Sequence, residues 1–186
     1  MSQQVLHLDF IKLTSETGPE QRGQLEVAAA QLSAIDGVVG VGIIEADDRS
    51  DFDAAFWFLL REFTALEPFG TDPRYSQFLQ RSVAPLLKAF AGADVKLDDD
   101  FEARDSTAAC LALIGPDEAY DFEVREALEA WSERSGAAST AIGLAVGEKQ
   151  LYRGAAIAFE ATEANEKPQP EPFRATLIRG QARTLA

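Results

Sequence analysis

The chain has 186 residues, a formal net charge of -14 and a sequence pI of 4.4, with 46% hydrophobic residues. That length suits one ordinary domain or two small ones, and the apolar share is enough to build a core. So acidic a chain argues against a nucleic-acid partner or an anionic membrane surface, since phosphate groups need a basic footprint. The single cysteine, Cys110, excludes an internal disulfide and a multi-thiolate metal site.

Met1-Ser2-Gln3-Gln4 lacks the charged start of a signal peptide, and no run approaches the roughly 20 apolar residues of a transmembrane helix. A cytoplasmic location is the default expectation. Val5 to Leu13 alternates and predicts a strand. After a turn at Thr14 to Gly18, Pro19-Glu20 opens a helix with an apolar stripe of Leu25, Ala28, Ala29 and Leu32, ending near Asp36-Gly37. Val38 to Ala46 reads as a second strand. Beyond the polar stretch from Asp47, Phe52 to Leu60 reads as a third, rich in aromatic β-formers.

The stretch from Phe69 to Phe78 joins that strand to a helix. Asp72 falls at its N-cap, Pro73 at a first-turn position that costs no hydrogen bond, and Leu79, Val83, Leu86 and Phe90 form its apolar stripe. Pro85 should kink that helix or split it after Ser82. Val95-Lys96-Leu97 reads as a short fourth strand, so the first half has the βαββαβ order of a ferredoxin-like unit.

Asp98 to Ser106 reads as an acidic linker. The cycle then restarts: a strand from Thr107 to Ile114, a turn at Gly115-Pro116-Asp117, and a helix with Val124, Leu128 and Trp131 on one face. Thr140 to Val146 and Leu151 to Thr162 follow as strands around a hairpin at Gly147-Glu148-Lys149-Gln150. Glu163 to Pro172, with three prolines, predicts a loop in place of the second helix, and Phe173 to Ile178 a last strand. The organisation is therefore a ferredoxin-like domain over 1–97, a linker over 98–106 and a degenerate repeat over 107–186.

Two four-stranded antiparallel sheets, each covered by helices on one face, leave two bare faces to bury. The expected fold is α+β: the sheets close into one α+β barrel with helices outside, an intrachain pseudo-dimer. The competing arrangement pairs the halves between two chains as a homodimer.

His7-Leu8-Asp9-Phe10-Ile11-Lys12 resembles the opening strand of the stress-responsive A/B barrel (Dabb) proteins, which begin with a histidine, an apolar run and a lysine at this interval. Phe52 through Phe69, Asp72-Pro73 and Phe78 resemble that family's third strand and the aromatic-x-x-His-Pro-x-His motif opening its second helix. The likeness covers residues 4 to 97; beyond 107 it is one of architecture. It implies a dimeric α+β barrel, in a family most of whose members have no assigned activity. A plant polyketide cyclase of the family uses the tyrosine and second histidine of that motif. Here Phe69 stands for the tyrosine, and Asp72 and Tyr75 for the two histidines, so the cyclase chemistry does not carry over.

Among chemical candidates, His7 and Asp9 share one face of the first strand, the face expected to point into the barrel while Leu6, Leu8 and Phe10 pack under the helices. An inward carboxylate is costly unless paired. The pair therefore reads either as an acid/base dyad or as a structural histidine with a salt-bridged Asp9. Tyr75 is a hydrogen-bond donor and, with an ordinary pKa of about 10, a poor base. Phe52, Ala54, Phe56 and Phe58 are expected to line the same interior, either as an apolar ligand pocket with Phe69 and Asp72 or as core. Asp72 reads first as a helix cap, and Cys110 as a buried hydrophobe rather than a nucleophile. Gly37, Gly40 and Gly42 enter a strand, not a helix, which excludes a phosphate-cradling loop. One histidine makes a transition-metal site unexpected, and no cofactor is implied.

Three functional readings stand at this stage. One is a binding protein that holds a small hydrophobic ligand in the barrel. The second is a cyclase-like or cofactor-independent monooxygenase-like enzyme using His7, Asp9 and Tyr75. The third is a purely structural assembly module.

Overall fold

The computed structural model describes residues 3–48, 50–98, 101, 105–115, 120–137, 139–146, 152–159, 170 and 175–186. Eight strands run β1 (Val5–Leu13), β2 (Val38–Ala46), β3 (Ala54–Leu60), β4 (Leu87–Leu97), β5 (Ser106–Ile114), β6 (Ser139–Ala145), β7 (Gly154–Phe159) and β8 (Ala175–Thr184). The α-helices are α1 (Pro19–Ala30), α2 (Leu66–Thr71), α3 (Pro73–Gln77) and α4 (Asp121–Arg134).

All neighbouring strands are antiparallel, and the order β1-β3-β2-β8-β5-β7-β6-β4 closes on itself. Each half contributes the same arrangement, β4-β1-β3-β2 and β8-β5-β7-β6. The fold is thus an α+β barrel made within one chain. Two seams join the halves, β2 with β8 and β4 with β6. Glycine lies on each. A Cβ at Gly180 would overlap the Glu45 carbonyl, and one at Gly143 the Lys96 carbonyl, so close backbone approach excludes larger residues there.

Alternation along each strand divides the apolar residues between two environments. Leu6, Leu8, Phe10, Ala55, Trp57, Leu59, Ala93, Val95, Leu111, Leu113, Ile157 and Phe159 form the barrel interior. Trp57 lies over Gly42, where a Cβ would collide with the indole, and its Nε1 has no hydrogen-bond partner among the described residues. On the outside, Val5, Ile11, Val41, Ile43, Phe56, Phe58 and Leu60 pack against Leu25, Ala29 and Leu32 and against Phe69, Tyr75 and Phe78. Around the second half, Cys110, Ala112, Ile114, Ala156 and Ala158 pack under Val124, Ala127, Leu128 and Trp131 of α4.

The expected parity of β1 and β3 is therefore reversed. Leu6, Leu8 and Phe10 fill the barrel, while His7 and Asp9 face outward beneath the helices of the first half, with Ala54, Phe56 and Phe58 on the same outer face. The reason is volume. A closed eight-stranded interior is filled by side chains and offers no solvent to a carboxylate, whereas the sheet–helix layer can supply a polar partner. Phe52 alone of the candidate aromatics packs against the interior, with its ring centroid 5.6 Å from that of Phe10.

Other boundaries move for local reasons. The helix predicted through Phe90 stops earlier: α3 passes into a π-helical segment Phe78–Val83, then a 3-10 turn Ala84–Leu86. Pro85 cannot donate to the Arg81 carbonyl four residues back, and its ring would clash there, so the ladder widens and ends. The chain released by that ending extends β4 to Leu87–Leu97, far longer than the predicted Val95-Lys96-Leu97, and it pairs along all of β1. Phe90 thus sits on a strand and is 42% exposed. Within the predicted acidic linker, Phe101 is buried in the barrel, edge-on to Trp57 at 5.8 Å. The hairpin at Gly147 to Gln150 and, apart from Pro170, the loop from Glu163 to Pro172 lie outside the described residues. No helix among the described residues is long and apolar enough to cross a membrane.

The seam geometry gives a first test. Gly180→Val should destabilise the barrel by about 2–3 kcal/mol, lowering the thermal midpoint by about 5–10 °C for a chain of this size. Differential scanning calorimetry checks it, and an unchanged midpoint would show that the β2–β8 seam does not carry the fold.

Candidate functional site

Three elements bring four titratable side chains together. β1 supplies His7 and Asp9, two residues apart and hence on one face. β4 supplies Asp94, directly opposite His7 in the ladder. Gly92 stands opposite Asp9, where an added Cβ would lie 3.8 Å from Asp9 Oδ1, an ordinary contact distance. α3 supplies Tyr75. Its start is fixed by Asp72, whose Oδ1 accepts the Arg74 backbone N–H at 2.8 Å, and by Pro73 in the first turn.

The groups form one hydrogen-bonded chain. His7 Nδ1 donates to Asp94 Oδ1 at 2.6 Å, and His7 Nε2 lies 2.7 Å from the Tyr75 hydroxyl. That hydroxyl donates to Asp9, 3.1 and 3.0 Å from its two oxygens, and Asp9 Oδ1 is also 3.3 Å from His7 Nε2. Aromatic rings wall the cluster: Phe69 lies edge-on to the imidazole with centroids 5.2 Å apart, and Phe58 lies at 5.9 Å. The side chain of Asp9 is 1% exposed, that of His7 14% and that of Asp94 21%, so the chain runs from a sealed end to one that meets solvent.

The protonation states follow from this geometry. Burial alone would lower the His7 pKa, but the charge and hydrogen bond of Asp9, joined by those of Asp94, outweigh it. The value rises from 6.5 to about 10. At neutral pH the imidazole is then a cation, with both N–H groups donating, to Asp94 and to Tyr75. The Tyr75 phenol is pushed above its ordinary value by burial, by the Asp9 charge and by the bond to Asp9, and it stays protonated. Cation, phenol and carboxylates therefore share the protons without conflict.

The structure brings together three of the catalytic candidates, His7, Asp9 and Tyr75, and surrounds them with two of the candidate aromatics, Phe58 and Phe69. It keeps Phe52 apart on the other side of the sheet, so the five ligand-lining candidates do not form one pocket. Phe56 stands opposite Asp9 in the β1–β3 ladder, with its ring edge-on to that of Phe78. Asp72 caps α3 and binds the Arg74 guanidinium at 2.9 and 2.7 Å; that bond holds its carboxyl below the usual range. Cys110 is buried beneath α4. The sequence alone does not single out Asp94, because its residues predict a strand only from Val95. The alternation of Ala91, Ala93, Val95 and Leu97 is the signal that places it on a strand with its side chain opposite theirs. Among the described residues, no group of three or more His, Cys, Asp and Glu side chains could hold a metal ion.

No protein-family model matches the sequence, and no curated protein does. Solved structures do share the fold. An anthrone oxidase-like protein superposes over 100% of this chain and 94% of its own with a TM-score of 0.62, at 11% identity. A Dabb family protein with a ferredoxin-like fold from Mesorhizobium loti covers 50% of this chain with 95% of its own, at 19% identity and a TM-score of 0.45. A dimeric ferredoxin-like protein of unknown function from Thermobifida fusca covers 52% with 93% of its own, at 19% identity and a TM-score of 0.46. The full-length superposition establishes a shared α+β barrel architecture and leaves the activity open.

The shifted histidine has a direct consequence. Because its folded pKa is raised above its unfolded value of 6.5, the stability it contributes is fully present below pH 6.5 and is lost as pH rises through about 10. The imidazole ring protons, followed by NMR, should titrate near the upper value in the native protein, and Asp9→Asn should bring that midpoint down. A native His7 titrating near 6.5 would overturn the charge assignment.

Proposed function

We propose that the chain is a small-molecule acid–base catalyst whose reacting groups are His7 and Asp94, supported by Tyr75 and Asp9. The observation that carries this reading is the graded burial of the hydrogen-bonded chain: its charge partner is sealed and its donor–acceptor end reaches solvent. Titratable groups with shifted proton affinities, gathered in one cluster, mark sites of this kind.

The chemistry fits a substrate with an acidic C–H or O–H next to an oxygen, such as an enolisable ketone or a phenol. The Asp94 carboxylate is the group placed to accept the proton. The His7 imidazolium, its two N–H groups held by Asp94 and Tyr75, supplies a fixed positive charge beside the developing oxyanion. Asp9 and Tyr75 keep the imidazole charged and oriented. Tyr75, with its raised pKa, acts as a donor and not as the base. In this reading Phe58 and Phe69 exclude water around the imidazole, and Phe52 and Asp72 take no part.

Ligand binding inside the barrel has less support, because Phe56 and Phe58 face the helices and Trp57, Phe101 and Phe159 pack together within the interior. Closure of the barrel within one chain supports a monomer of 20.2 kDa, and native mass spectrometry reports any further pairing.

The catalytic reading is tested by deuterium uptake from D2O into the α-carbons of acetophenone and phenylacetone, followed by NMR. The wild-type protein should accelerate uptake. His7→Gln should remove about 10²–10⁴-fold of that acceleration, the usual share of a positioned acid or base. Tyr75→Phe should retain part of it with a displaced pH profile. If folded wild-type protein accelerates neither probe, the four-residue chain is a structural charge network and the proposal is lost.

A further inference from the structure

A second concave site lies between α1 and the run of α3 with the π-helical segment, and its lining includes none of His7, Asp9, Tyr75 and Asp94. α3 and the π-helical segment turn Arg74, Gln77, Phe78, Arg81 and Ser82 toward α1, residues spaced i, i+3, i+4, i+7 and i+8 on one helical face. α1 and the 3-10 turn that follows it (Gln31–Ala34) answer with Ala28, Gln31 and Leu32. Two packed helices ordinarily meet through apolar stripes at those spacings. Here one ring and one leucine form an apolar floor, polar and cationic groups form the rim, and a cavity of 220 Å³ stays open between them.

The two arginines differ. Arg74 is committed: it binds Asp72 through Nε and one terminal nitrogen and donates from the other to the Ala34 carbonyl at 2.7 Å, tying the start of α3 to the 3-10 turn after α1. The Arg81 side chain makes no hydrogen bond or ion pair with any described residue. It is held at the rim by the widened π-helical turn, in a chain of net charge -14. A guanidinium over an apolar floor recognises a planar anion.

We propose that this cleft binds a small monocarboxylate with a flat or short apolar body, its carboxylate on Arg81 and its body against Phe78 and Leu32. The volume is below the roughly 300–1,000 Å³ of drug-sized pockets, which limits the ligand to about one ring.

The test uses sodium benzoate as the carboxylate probe and benzamide as its uncharged counterpart, with binding followed by isothermal titration and by amide chemical shifts. Benzoate should bind at millimolar concentration and perturb the amides of Gln31, Gln77 and Ser82, while benzamide should bind at least about tenfold more weakly, the equivalent of losing one charge-assisted hydrogen bond. Arg81→Gln should weaken benzoate by a similar factor without changing the thermal midpoint, since the side chain is exposed and unpaired. Ala28→Leu should fill the cleft and remove binding of both probes. Equal binding of benzoate and benzamide, unchanged benzoate affinity in Arg81→Gln, shifts clustered around His7 instead, or no benzoate binding would each overturn the proposal. None of these outcomes depends on deuterium uptake at the His7 site.

Discussion

Closing an eight-stranded barrel forces every strand to divide its side chains between a packed interior and a helix-covered exterior, and that division sets everything else in this molecule. On β1 it sends Leu6, Leu8 and Phe10 inward and His7 and Asp9 outward. On β4 it sends Ala91, Ala93, Val95 and Leu97 inward and Asp94 outward, beside His7. A register slip of one residue on either strand would exchange the two sets. It would then bury unpaired charges in the barrel and leave leucines against the helices. The site and the core are thus two readings of one register.

Asp9 shows how large the stake is. A carboxylate with 1% of its side chain exposed is tolerated only if its charge is met, and the imidazolium and the phenol together meet it. Removing one partner of such a buried pair typically costs about 3–5 kcal/mol, so each member holds the others in place. That mutual dependence also explains why α3 is so short yet so well defined. Asp72 caps it, Pro73 opens it, and Tyr75 ties it to β1 one turn later. Pro85 then ends the helical run, which frees Leu87 onward to become the strand that carries Asp94.

Much of this was legible in the sequence. The strand–helix order, the cap at Asp72, the break near Pro85 and the shared face of His7 and Asp9 follow from spacing and residue type, whereas Tyr75 stands out only through the resemblance to the Dabb helix motif. Parity was not legible, because His7 and Asp9 alternate with Leu6, Leu8 and Phe10 whichever face is inside. Phe56 and Phe58 alternate just as evenly with Trp57 and Leu59. Only closure decides between the two faces, and closure is a property of all eight strands. Asp94 was hidden for a related reason. Alanine and glycine are weak strand formers, so the run from Ala89 to Ala93 announces itself only through its pairing with β1.

The two halves share a topology but not a chemistry. In the second half, the apolar side chains between sheet and helix are Cys110, Ala112, Ile114, Ala156 and Ala158 against Val124, Ala127, Leu128 and Trp131. α4 therefore packs as an ordinary amphipathic helix, with Trp131 filling the layer. The first half uses the corresponding layer to hold a cation, a phenol and two carboxylates. A barrel needs both halves to bury its interior, but it needs charges beneath only one set of helices.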